Sequence, residues 1–263
     1  MNKTGISWTD YTLNPLTGCD KISEGCINCY ASTVYERHRW SFKPTLRLER
    51  LAELRRIPAG SKVFLGSVTD IFHDYFMKHV EKPIEQVFEA ITRRPDIVFQ
   101  ILTKRPWNAL DFFRQYKIPD NVWLGVSAEN KRWLETRTAY LEKIPAKIKF
   151  VSCEPLLEDL TTVDMEGRHV SYPLETRHIK WIIVGAESGT GRRPFKNEWA
   201  LNLKEICDRE HISFWFKQGS DFKPGQHHEI DGRSYMEFPR INYVVCCEKG
   251  QAKKDQTKLR RRF

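Results

Sequence analysis

Six short apolar runs recur along the middle of the chain: "KVFLGSVTD" from Lys62, "IVFQILTKR" from Ile97, "NVWLGVSAEN" from Asn121, "KIKFVSCEP" from Lys147, "IKWIIVGAES" from Ile179 and "ISFWFKQGS" from Ile212. Their starts lie roughly 25 to 35 residues apart, the length of a strand followed by a helix. The runs are apolar throughout rather than alternating, which indicates parallel strands covered on at least one face. The intervals read as helices. "VEKPIEQVFEAITRRP" sets Ile84, Val87, Phe88 and Ile91 on one face before Pro95, and "RPFKNEWALNLKEICDREH" is expected to do the same with Trp199, Leu201, Leu203 and Ile206. With "GISWTDYTLNP" as a first strand, the expected fold is α/β, a partial (β/α) barrel of about six or seven parallel strands. The barrel is expected over residues 1–222, with a C-terminal extension over 223–263 that holds a hairpin-like segment and a basic tail.

Each run gives way to polar residues: Asp70, then Lys104 and Arg105, Ser127 and Glu129, Glu154, Glu187 and Ser188, and Lys217 and Gln218. In a (β/α) barrel the loops after the strands share one face, so these groups are expected to form a common polar mouth. Arg192 and Arg193 in "GAESGTGRRP" add positive charge there. Pairing of these cations with Glu129, Glu154 and Glu187 is the alternative for any one of them.

Before the first of the six runs stands "GCDKISEGCINCYAS", with gaps of six and then two residues between Cys19, Cys26 and Cys29. Three thiols are one short of a closed zinc site, which His38 is near enough in sequence to complete. They also suit an iron-sulfur cluster that keeps one iron open to a further ligand. "MNKTGISWTDYTLNP" lacks the apolar core of a signal peptide, so a cytoplasmic location with reduced thiols is expected. Of the other cysteines, Cys153 lies inside a strand and reads as a small hydrophobe, Cys207 falls on a helix, and the adjacent Cys246 and Cys247 stand in a β-like run with no companion pair for a second metal. No apolar run approaches the roughly 20 residues that span a bilayer.

The net charge of +9 suggests a polyanionic partner. Part of that excess is in the tail, where Lys253, Lys254, Lys258, Arg260, Arg261 and Arg262 face only Asp255. The tail reads as a solvated solubility segment or as a nucleic-acid arm. The tryptophans at 107, 123, 181, 199 and 215 read as core, with Trp8 and Tyr11 as exceptions that stand near the cysteine loop. "FHDYF" reads as a helix cap at His73 or a proton donor.

A three-cysteine loop after the first strand of a partial barrel resembles the radical S-adenosylmethionine enzymes. Their commonest first gap is three residues, and an aromatic commonly precedes the third cysteine, where this chain has Asn28 followed by Cys29 and Tyr30. More closely, the chain to about Gln218 resembles a family first named from phage proteins and called radical-SAM-like or three-cysteine-motif proteins. That resemblance rests on "ISWTDYTLNPLTGC", "GCINCYA", "FQILTKRP", "NVWLGVSAEN", "FVSCEPLL", "WIIVGAESG" and "FWFKQ".

The resemblance implies a 4Fe-4S cluster on Cys19, Cys26 and Cys29, with S-adenosylmethionine on the fourth iron, cleaved reductively to a 5′-deoxyadenosyl radical. It implies an electron donor such as flavodoxin or ferredoxin. Ser67, Thr69 and Asp70 would meet the methionine amino group, Ser127 and Glu129 the ribose, and Glu154 the cofactor or substrate. Lys104, Arg105, Glu187, Ser188, Arg192, Arg193, Lys217 and Gln218 would line a substrate site. Arginine forks suit phosphate, which favours a nucleotide, DNA or RNA substrate. The competing expectation is a non-catalytic nucleic-acid-binding protein with a structural zinc or iron-sulfur site.

Overall fold

The computed structural model describes residues 3–240. The adjacent Cys246 and Cys247 and the basic tail from Lys253 lie outside these residues. Seven strands form one parallel sheet in chain order: β1 (Tyr11–Leu13), β2 (Lys62–Leu65), β3 (Val98–Thr103), β4 (Val122–Ser127), β5 (Ile148–Cys153), β6 (Trp181–Gly185) and β7 (Ser213–Gln218). The register sets Leu13 beside Leu65, Leu65 beside Ile101 and Ile101 beside Leu124. Farther along, Gly125 stands beside Phe150, and Ile183 beside Trp215. The sheet curls into a half-barrel, the partial (β/α) barrel expected from the spacing of the runs.

Helices separate the strands: α1 (Tyr30–Arg37), α2 (Asp74–Met77), α3 (Pro83–Thr92), α4 (Pro106–Phe113), α5 (Lys131–Glu142), α6 (Tyr172–Thr176) and α7 (Asn197–Arg209). α3 opens on Pro83, whose fixed φ suits a first helical position, and buries Ile84, Val87, Phe88 and Ile91 as its spacing requires. α7 departs from expectation. It buries Ala200, Leu203, Ile206 and Cys207, whereas Trp199 and Leu201 are only half-buried. Residues two apart on a helix point about 200° apart, so Trp199, Leu201 and Leu203 cannot share a face. The segment from Thr162 forms a hairpin, Thr162–Val163 against His169–Val170, and then α6. No helix among the described residues is long and apolar enough to cross a membrane.

Alternate strand residues feed two cores, because a strand's side chains point to opposite faces. Val63, Leu65, Phe99, Ile101, Leu124, Val151 and Ile182 pack under the helices. Phe64, Trp123, Phe150, Trp181, Ile183 and Trp215 point the other way and form an aromatic floor with Trp8, which is buried rather than held beside the cysteine loop. Trp181 is its centre, edge-on to Trp8, Trp123 and Trp215 at centroid distances of 6.0, 5.8 and 6.3 Å. Phe238 of the C-terminal extension stacks obliquely on Trp215 at 4.8 Å. The floor depends on Gly125: a Cβ there would lie 2.4 Å from Phe150 Cζ, so only glycine lets that ring cross the strand.

Candidate metallocofactor site at the barrel mouth

β1 leads into Leu16–Thr17, paired with Thr45–Leu46, and then into Gly18 at φ +83°. A Cβ on Gly18 would stand 2.2 Å from the Lys43 carbonyl oxygen, so two backbones touch where the loop turns toward Cys19. Cys26 closes a 3-10 turn (Glu24–Cys26), and Cys29 caps the N-terminus of α1. All three thiols are partly exposed.

The loop is held by side chains from several strand ends. Thr69 Oγ1, beyond β2, donates to the Gly18 carbonyl at 2.6 Å, and the Tyr30 hydroxyl donates to the Ser67 carbonyl. Asn14 donates to the Ser67 hydroxyl at 3.0 Å. Beyond β3, Arg105 reaches Cys19 Sγ at 3.6 Å and the Asp20 carbonyl at 3.5 Å. Beyond β4, Glu129 accepts the Gly25 N–H at 3.1 Å, and Trp133 Nε1 donates to Glu24 at 2.7 Å. Beyond β6, Asn28 donates to Glu187 at 3.0 Å and to the Gly191 carbonyl at 2.8 Å.

Asp70 is the hub on one side. It accepts from Thr103 Oγ1 at 2.8 Å, Lys104 N–H at 2.9 Å and Phe72 N–H at 3.1 Å, and pairs with Arg105 at 3.4 Å. His73 caps α2 by accepting the Tyr75 N–H, and its other ring nitrogen meets Asp20 at 3.0 Å. Burial, then Asp70, push the Cys19 thiol up against the pull of Arg105. Burial acts the same way on Cys26, but the Lys104 charge and local hydrogen bonds prevail and lower it.

Above the aromatic floor lies a polar layer. Lys104 Nζ donates to Ser127 Oγ at 3.3 Å, and Lys217 pairs with Glu154 at 2.8 Å, whose other oxygen accepts from Ser152 at 3.1 Å. Arg193 grips Glu187 through its side chain and its backbone N–H. Arg192 lies over the Phe222 ring at 4.1 Å, and Gln218 is buried between the Ala186 carbonyl and the Gly225 N–H. Ser188 sits beside Asp221 in a backbone bridge. Glu154 and Glu187 are therefore engaged by cations of the mouth, and Glu129 by Arg137 of α5, at 2.7 Å with both side chains fully buried. Arg137, Trp133 and Asn28 escaped the sequence reading; Arg137 stands eight residues past Glu129 with nothing in the spacing to mark it as a partner.

Zinc needs four ligands converging on one point at roughly 2.0–2.3 Å. Among the described residues no three Cys, His, Asp or Glu side chains gather in that way, and His38 instead stacks on Trp40 at 4.7 Å. Iron-sulfur clusters are held by thiolates, and three partly exposed cysteines in one loop, with Lys104 and Arg105 beside them, are a donor set of that kind.

Two solved structures share the fold: a cysteine-to-serine mutant of spore photoproduct lyase, and spore photoproduct lyase complexed with dinucleoside spore photoproduct. Each aligns at a TM-score of 0.53 and 13% identity over 84% of this chain and 78% of the other. A search of curated proteins gives no match. Residues 3–259 match the model of the family described as protein of unknown function DUF5131, and the chain belongs to that family.

Proposed function

We propose that the protein is a radical S-adenosylmethionine enzyme that acts on a nucleotide or nucleic-acid substrate. The observation that carries this reading is the three-thiol loop tied across the polar mouth of a parallel half-barrel, at the carboxyl ends of its strands. The likeness in fold to spore photoproduct lyase, solved in complex with dinucleoside spore photoproduct, supports a nucleoside-containing substrate.

Cys19, Cys26 and Cys29 would hold a 4Fe-4S cluster, which when bound with S-adenosylmethionine supplies a reductively generated 5′-deoxyadenosyl radical. The chain's own residues do the rest. Arg105 and Lys104 offset the thiolate charge, and Asp70 fixes Arg105 in place. Asp70, Ser67 and Thr69 flank the loop on the β2 side, where an ammonium would find oxygen acceptors. Ser127, Glu154 and Lys217 line the layer above the floor, and the buried indoles beneath keep water out. Lys104, Arg105, Arg192, Arg193 and Lys217 favour an anionic substrate such as a phosphate ester, with Glu187, Ser188 and Gln218 around them.

The test is anaerobic reconstitution followed by iron and sulfide analysis, and electron paramagnetic resonance of the reduced protein with and without S-adenosylmethionine. The expected result is a 4Fe-4S signal that changes with S-adenosylmethionine and slow release of 5′-deoxyadenosine, both lost in Cys26→Ala while the barrel stays folded. A protein that takes up no cluster, or holds zinc tightly in its place, overturns the reading.

A further inference from the structure

The segment "RHRWSFKPTLR", from Arg37 to Arg47, carries Arg37, Arg39, Lys43 and Arg47 and no acidic residue. All four cations are exposed. Among them Trp40 has 60% of its surface open to solvent, although an indole of the core would be covered. The ring is held in place: His38 stacks on it at 4.7 Å, Tyr35 meets it edge-on at 5.7 Å, and the Trp40 N–H donates to the Tyr35 carbonyl at 2.8 Å. Arg39 takes a left-handed turn at φ +57° that reverses the chain between His38 and Trp40.

This strap borders the cysteine loop directly. The Cys19 N–H donates to the Phe42 carbonyl at 3.1 Å, and Gly18 packs on the Lys43 backbone. Tyr30, Val34 and His38, four residues apart, form an exposed row along α1 from the Cys29 cap toward Trp40. The row is about 12 Å long, a span of a few nucleotides. A held, solvent-facing indole in a stretch that carries four exposed cations meets the two needs of a single strand, a stacking face for an unpaired base and charge for its phosphates. The strap offers donors and a ring face but no carboxylate, which disfavours a basic or zwitterionic partner.

We propose that the Arg37–Arg47 strap is a single-stranded polynucleotide interface, in which Trp40 stacks a base and Arg37, Arg39, Lys43 and Arg47 follow the backbone toward the cysteine loop. This deepens the proposed function by naming how the substrate strand is presented, and it rests on that reading only for the chemistry that follows binding.

The experiment measures binding of fluorescent oligothymidylate, oligouridylate and a DNA duplex, each about a dozen units long, to the full chain across a salt series, with heparin as a polyanion control. Trp40→Ala should weaken single-strand binding roughly 5- to 150-fold, while Trp40→Phe keeps most of it. Substituting Arg37, Arg39 and Lys43 by alanine should make the log–log salt dependence shallower by about 2. Heparin binding should be unmoved by Trp40→Ala. Equal strand affinity in parent and Trp40→Ala, equal sensitivity of duplex and single strand, or a Trp40→Ala defect that extends to heparin overturns the inference. Iron content and 5′-deoxyadenosine release are followed on the same samples. Strand binding lost in Trp40→Ala without any cluster in the parent upholds the interface and sinks the enzyme; a loaded, cleaving parent with unaltered Trp40→Ala binding does the reverse.

Discussion

Glu129 Oε2 accepts a 2.7 Å hydrogen bond from Arg137 Nη1 where neither side chain meets solvent, and Glu129 Oε1 accepts the Gly25 N–H at 3.1 Å. One carboxylate therefore joins the buried face of α5 to the cysteine loop. Glu129→Gln would leave the Arg137 charge buried without a counter-ion, a loss expected to cost about 3–5 kcal/mol in urea unfolding. Glu129→Leu with Arg137→Met should regain most of that stability yet load little iron, because the Gly25 N–H has lost its acceptor. Full iron loading of the double variant would show that the carboxylate does not anchor the loop.

The same carboxylate predicts acid sensitivity. Burial raises its pKa, but the Arg137 and Lys104 charges outweigh burial and hold it below the ordinary 4.5. A group depressed on folding contributes stability that is fully present above its unfolded value and is lost as pH falls through its folded value. Unfolding midpoints should thus decline below about pH 4.5, and the Glu129→Gln variant should decline less steeply over that window. Parallel curves would sever the link to Glu129.

Gly125→Ala tests the floor from beneath. Its methyl would meet Phe150 Cζ at 2.4 Å inside a fully buried strand, and overpacking of this kind costs about 1–3 kcal/mol. Gly125→Ala with Phe150→Leu should recover part of the loss in thermal melts. A single variant as stable as the parent would mean that the ring moves aside freely.

Trp181 separates apolar packing from hydrogen bonding. Its Nε1 is buried with no acceptor among the described residues, so Trp181→Phe leaves no partner stranded and should cost under about 1.5 kcal/mol. Trp181→Ala opens the centre of the floor and should cost about 3–5 kcal/mol. Similar losses in the two variants, read by denaturant titration, would mean that the indole nitrogen contributes after all.

In the polar layer, Glu154→Gln and Lys217→Ala break a pair that is partly solvated, so stability should change by less than about 1 kcal/mol. If this layer orients the S-adenosyl group, 5′-deoxyadenosine release should fall roughly tenfold or more at unchanged iron content. Unaltered release by both variants would remove Glu154 and Lys217 from the site.

The barrel was legible because its physics is local. "NVWLGVS" is apolar on both faces and becomes β4 over Val122–Ser127, and the polar residue after each run marks the carboxyl end of its strand. The aromatic floor was legible only in part: tryptophans at 123, 181 and 215 read as core, but that they share one face with Trp8 follows from register across strands distant in sequence. Glu129 reads as a residue of the mouth and Arg137 as one more charge of a helix, until packing of α5 on the sheet buries both. Trp40 was unmarked for the opposite reason: an aromatic in a basic stretch reads as packing until its neighbours are seen to leave it uncovered.

The indole floor also governs traffic. Trp181 and its neighbours fill the floor of the half-barrel, so a molecule seated above Glu154 and Lys217 would be reached from the side of the mouth that the cysteine loop crosses. If the proposed chemistry takes place there, product would leave by the route that substrate takes, and product should inhibit in competition with substrate.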